Sequence, residues 1–282
     1  MALGGNPVFN GKNFRSQTRG GAPTVPAGGP FAGQDPMSSQ DLQNLYSAPA
    51  AGPRETGRMT YDDVIMKTLG CLAVVLLGAA IPVFVLPGAA GLLMIVGALG
   101  GFVLGLVNAF KREPVPALIL GYALLEGMFL GALTAVLDAM YPGIGLQAVV
   151  GTLAVFAVTL FLFKSGKVRA TPKAVRFFMI AIIGYAVFSL VNVGLMIFGV
   201  VDDPWGVRGV EIAGIPLGII IGLLAVGLAA FSLIMDFTSI EQGVKAGAPQ
   251  RYSWTAAFGL TVTLVWLYVE IIRILAILRG DD

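Results

Sequence analysis

Residues 228–275 read LAAFSLIMDFTSIEQGVKAGAPQRYSWTAAFGLTVTLVWLYVEIIRIL. Two apolar runs flank a polar turn, so the stretch reads as the end of one membrane helix, a short connection and a second membrane helix. Asp236 closes the first run and Glu270 lies deep in the second. A carboxylate at the centre of a bilayer costs at least ~2.5–3.5 kcal/mol, so such a residue is rarely present without a function or a partner.

The composition agrees with a membrane setting. The 282 residues are 56% hydrophobic and 12% charged, against about 25% charge in a soluble domain. The chain is expected to be an integral membrane protein. It has no histidine and one cysteine, Cys71, in an apolar run. That excludes a disulfide, an imidazole or multi-thiolate metal site and a Ser-His-Asp triad, and leaves Cys71 as a small packing residue. No G-x-x-x-x-G-K-S/T or G-x-G-x-x-G pattern is present, so nucleotide binding has no support. Nothing points to a nucleic-acid partner or to a bound cofactor.

Residues 1–60 are rich in proline and glycine and have little to bury, which predicts a disordered tail. No apolar core precedes residue 68, so no cleavable secretory signal is expected. The basic residues Lys12, Arg15, Arg19, Arg54 and Arg58 are scattered rather than clustered, which favours a solvated tail over a lipid-binding module. Residues 59–67, MTYDDVIMK, read as a short amphipathic lead-in.

Seven apolar segments of membrane length follow, at about 68–86, 89–110, 115–137, 146–163, 174–200, 212–238 and 253–278, given that ~20 residues span the hydrocarbon. Their connections are brief, which implies antiparallel neighbours. The fold class expected is an all-α, seven-helix transmembrane bundle over residues 61–282. Lys and Arg set its orientation. With the N-terminus inside, the inner side holds the tail cations through Lys67. It also holds Lys111 and Arg112, then Lys164, Lys167, Arg169, Lys173 and Arg176, and finally Lys245 and Arg251. The outer side keeps Arg208 and Arg279, with Asp202, Asp203 and Glu211 nearby. The expected location is a bacterial inner membrane, with the N-terminus cytoplasmic and the C-terminus outside.

Small residues recur at Gly97/Gly101/Gly105, Gly127/Gly131 and Gly214/Gly218/Gly222. This spacing lets helix backbones approach in lipid, and tight packing within the bundle is favoured over a dimer face. Pro82 and Pro216 are expected to kink their helices. Asn108 and Asn192 read as interhelical hydrogen-bonders. Tyr141, Trp205, Tyr252 and Trp254 read as interfacial belt residues, and Asp138 as the outer edge of the third helix.

Three acids fall inside apolar runs. At 1.5 Å per residue, Glu126 lies about 16 Å in from the inner side and Glu270 about 25 Å in, while Asp236 lies roughly 36 Å along its helix from the outer side. If all three face the axis, they form a ladder of carboxylates suited to protons or to a hard cation such as Ca²⁺. Each also has a plainer reading. Asp236 also reads as an interfacial group, followed as it is by Thr238, Ser239, Glu241 and Gln242. Glu270 has Arg273 three residues on, which suits a local ion pair. Glu126 has no cation near it in sequence and suits a protonated, hydrogen-bonded group.

The stretches LLEGMFLGALT (124–134), FSLIMDFTSIEQG (231–243) and WLYVEIIRIL (266–275) resemble the Bax inhibitor family, also called the transmembrane Bax inhibitor motif family, in its bacterial branch. The resemblance implies seven helices with the last near the centre, and a pH-sensitive Ca²⁺ leak in which no enzymatic step takes part. It also implies a second role, as a regulator that binds other membrane proteins such as an ATP-dependent membrane protease. Asp236 matches the sixth-helix member of the family's two-aspartate proton sensor, and the resemblance makes it a candidate Ca²⁺ contact. The partner position holds Thr263, with Glu270 seven residues later, and the second helix carries no arginine to match the family's basic latch. An intramembrane enzyme is not expected, because Asp236 has no second aspartate at its depth.

Overall fold

The computed structural model describes residues 57–280. The tail expected over 1–60 lies outside the described residues except for 57–60. Those four are not tail. Met59 donates its backbone N–H to Ala248 at 2.8 Å, and Gln250 donates to the Gly57 carbonyl at 2.9 Å. Met59 is 4% exposed.

The helices are α1 (Tyr61–Ala80), α2 (Ala90–Phe110), α3 (Pro116–Met140), α4 (Ile144–Lys164), α5 (Pro172–Ile197), α6 (Leu217–Lys245) and α7 (Ser253–Gly280). All seven are long and apolar enough to cross a membrane. The protein is a multi-pass membrane protein built as a helical bundle.

The differences from the sequence reading sit at helix ends. The amphipathic lead-in is the first two turns of α1. Thr60 caps that helix by accepting from Asp63 N–H, and Asp62 and Asp63 occupy the positive end of its dipole. Pro82 is buried in a π-turn, Ile81–Val85, that closes α1. Pro216 does not kink α6. It precedes the helix, at the end of a two-stranded hairpin in which Glu211–Ile212 pairs with Ile215–Pro216. The hairpin turn holds Ala213 and Gly214 at φ 54° and 78°, the paired positive values of a tight type I′ turn. Gly214 thus serves a turn rather than the small-residue stripe, and α6 starts at Leu217 instead of 212. Asp236 is then about 29 Å along α6 rather than 36 Å, with nine helical residues still to follow.

Hydrophobic burial drives little association between helices in lipid, so close packing must do it. α1 and α3 meet at bare backbone: a side chain at Gly127 would strike Val75 and Gly78, and one at Gly131 would strike Ala79. Gly97 of α2 rests in the same way on Leu125 and Phe129 of α3. α7 is the centre. Leu260, Leu264 and Leu267 join one buried cluster with α6, Ala257 and Val265 join a second with α1 and α3, and Ile272 and Ala276 join a third with α4. α5 is different, with Phe178 and Asn192 as its buried residues.

Candidate membrane-embedded site

Two cavities flank α7. The first, about 480 Å³, lies toward the Gly280 end and is lined by α3, α5, α7 and the 204–208 loop. The second, about 460 Å³, lies toward the Ser253 end and is lined by α6, α7 and the α2–α3 connection. Tyr122 lines the first and Phe258 the second. Their rings meet edge to face at 5.1 Å, so the cavities adjoin at an aromatic contact.

The three embedded acids are divided between these spaces. Asp236 lines the second cavity, with Lys111 and Arg112 on its rim. α6 and α7 position it. The Thr263 hydroxyl donates to Asp236 Oδ2 at 2.8 Å, and Ser232 Oγ lies 3.3 Å from Thr263 Oγ1. Gly259, one turn before Thr263, lies beside the carboxylate, and a Cβ there would make an ordinary 3.4 Å contact with Asp236 Oδ1. Thr263 therefore meets Asp236 directly, and a hydroxyl stands where the resemblance implied an acid. Among the described residues no three of His, Cys, Asp and Glu converge to hold a metal ion. One carboxylate beside two hydroxyls falls short of the six to eight oxygens Ca²⁺ prefers.

Glu126 and Glu270 line the first cavity. Glu126 lies against Gly101 of α2 and makes no hydrogen bond or ion pair among the described residues. Glu270 is 1% exposed and fully engaged. Arg273 Nη1 donates to both of its oxygens at 2.9 Å, Trp266 Nε1 donates at 3.2 Å, and the Tyr185 hydroxyl donates to Oε1. The i,i+3 spacing of Glu270 and Arg273 on α7 makes the pair possible. Tyr185 also receives Arg208 Nη2 and Arg273 Nη1, each at 3.3 Å.

Sequence reasoning missed Tyr185 and Arg208. They come from α5 and from the loop after it. Arg208 is brought in by a local device, because Asn192 of α5 accepts from Val207 N–H at 2.7 Å and donates to the Trp205 carbonyl at 3.2 Å. Gly206, at φ 64°, passes over Asn192 Oδ1 where a Cβ would collide. Asn192 thus orders a loop rather than a neighbouring helix. Asn108 does join helices, donating to Leu118 of α3 at 3.2 Å. Trp205 and Trp254 are half-buried and pack against buried clusters.

Seven spans, a central last helix and an embedded Asp–Thr contact between the last two helices define a class of integral membrane protein with polar groups sheltered inside the bundle. The profile described as Bax inhibitor 1 like matches residues 6–280, and the chain belongs to that family. A search of curated proteins returned no match.

Proposed function

We propose that this protein is a slow, pH-sensitive cation leak, with Ca²⁺ as a permeant ion. It would reside in a bacterial inner membrane with its N-terminus cytoplasmic and would catalyse no reaction. The observation that carries the reading is Asp236: a carboxylate well inside a membrane helix, lining a cavity that reaches the α2–α3 connection. In the proposed orientation that cavity faces the cytoplasm and Asp236 is the inner polar step. Glu126 is the next step, beyond the Tyr122–Phe258 contact. Arg208 and Arg273 at the outer cavity oppose cation entry, which fits a leak rather than a fast channel.

Flux tests the reading. Purified protein in liposomes should release Ca²⁺ at a rate that changes between pH 6 and 8, and Asp236→Asn should lower the flux several-fold and flatten its pH dependence. Equal flux in the two proteins, or none in either, removes the proposal. α5 favours a second reading, a non-transporting regulator of other membrane proteins such as a membrane protease. With Phe178 and Asn192 as its buried residues, α5 leaves a long apolar face, including Ile180, Ile183, Val187 and Leu190, for another membrane helix. A protease that co-purifies with a protein lacking flux selects that reading.

A further inference from the structure

Arg208 is 5% exposed, and among the described residues no carboxylate lies within ion-pair distance of it. Its partners are hydroxyls, Ser189 at 2.8 Å and Tyr185 at 3.3 Å, both reached by Nη2. Among the described residues its buried Nε has no hydrogen-bond partner and Nη1 makes no hydrogen bond. The rings of Tyr185 and Phe188 lie 5.5 Å from the guanidinium carbon. Charged side chains this buried are ordinarily paired, because an unpaired buried charge is strongly destabilising. Glu270, which Tyr185 links to Arg208, is already held by Arg273. The cluster of Arg208, Arg273 and Glu270 therefore carries one positive charge in excess. Arginine presents a planar fork of donors that fits carboxylate and phosphate oxygens.

Depth narrows the ligand. Tyr185 joins Arg208 to Glu270, which lies seventeen residues beyond Ser253, or about 26 Å along α7. That is near the far edge of a hydrocarbon layer about 30 Å thick, next to the headgroup region. Glu126 lies about 15 Å along α3 from Pro116. The Arg251–Glu113 ion pair sets the starts of these two helices side by side. Glu126 is then about 10 Å deeper than Arg208 and does not occupy the same level. The walls near Arg208 are Val193, Met196, Trp205 and Trp266. They suit an apolar body attached to the anion.

We infer that the outer cavity binds an oxyanion, a phosphate or carboxylate, seated on the free Nη1 and Nε donors of Arg208, with an apolar portion against Trp205 and Met196. A lipid headgroup and a free oxyanion share this chemistry, and one experiment separates them. Two of the chain's three tryptophans, Trp205 and Trp266, line this cavity, so their fluorescence reports occupancy. Full-length protein in neutral detergent is titrated with phosphatidylglycerol bearing brominated chains, then with the phosphatidylcholine equivalent, then with each in the presence of inorganic phosphate. Saturable quenching at least about threefold stronger with phosphatidylglycerol is expected. Arg208→Gln should reduce it to the phosphatidylcholine level, and Arg208→Lys should retain part of it. Relief of quenching by inorganic phosphate assigns a site open to free oxyanions, and no relief assigns a lipid site. Equal quenching by the two lipids in the wild type overturns the inference without need of any variant. An undiminished preference in a folded Arg208→Gln protein also overturns it.

Discussion

Replacing Gly131 by valine is expected to loosen the seam between α1 and α3 more than any other packing change. The added side chain meets the carbonyl and Cα of Ala79, which belong to the α1 backbone and have no rotamer to escape into. Relief requires α1 to move away from α3, and that movement also opens the contacts at Gly78 and Gly127. Overpacking typically costs about 1–3 kcal/mol and occasionally more, and a rigid obstacle places this site at the upper end. The melting temperature in detergent should fall by about 10 °C. Gly184→Val on α5 is the matched control, since a Cβ there meets nothing within 4 Å, and it should melt as the wild type does. Identical melting of the two variants would mean that the α1–α3 seam does not hold the bundle.

Glu270→Gln should be at least as severe, for an electrostatic reason. The substitution keeps shape but removes the negative charge shared by Arg273 and, through Tyr185, by Arg208. Two guanidinium groups then remain with no anion between them. Breaking a buried pair on one side costs about 3–5 kcal/mol. Glu270→Gln combined with Arg273→Gln should recover part of the loss, because the second change removes a stranded charge. The checking measurement is a double-mutant cycle on thermal unfolding. Strictly additive losses would show that the pair is not coupled.

Much of the architecture was legible because bilayer thickness dictates how long an apolar run must be. The runs at 89–110 and 253–278 fall close to α2 and α7. The helix ends were less legible, for a physical reason. Hydropathy marks where an apolar run stops, whereas hydrogen bonding and capping mark where a helix stops, and α1 and α6 extend beyond their apolar runs at residues 61–67 and 239–245. The turn at Ala213–Gly214 was hidden because alanine seldom signals positive φ. Among the site residues, Glu126, Asp236 and Glu270 stood out as charges in apolar runs. The Glu270–Arg273 pair was visible as a spacing, and the contact of Thr263 with Asp236 followed from the resemblance. Tyr185 and Arg208 were not visible, because their place at Glu270 depends on a fold-back of the loop after α5. The one available signal was Arg208 itself, a cation near the acids Asp202, Asp203 and Glu211.

The manner in which α5 is fastened bears on how the protein should be handled. Most of its grip comes from oxygen and nitrogen atoms: Tyr185 on Glu270, Ser189 on Arg208 and Asn192 on the 205–207 backbone. Phe178 against Phe231 adds an aromatic contact, with ring centres 5.4 Å apart. Such bonds are strongest where water is scarce. Extraction into a hydrated micelle weakens them while leaving the glycine-lined seams of the other helices intact. α5 is the helix that solubilisation would peel away first, and a lipid disc is the medium that keeps the fifth span in register with the rest.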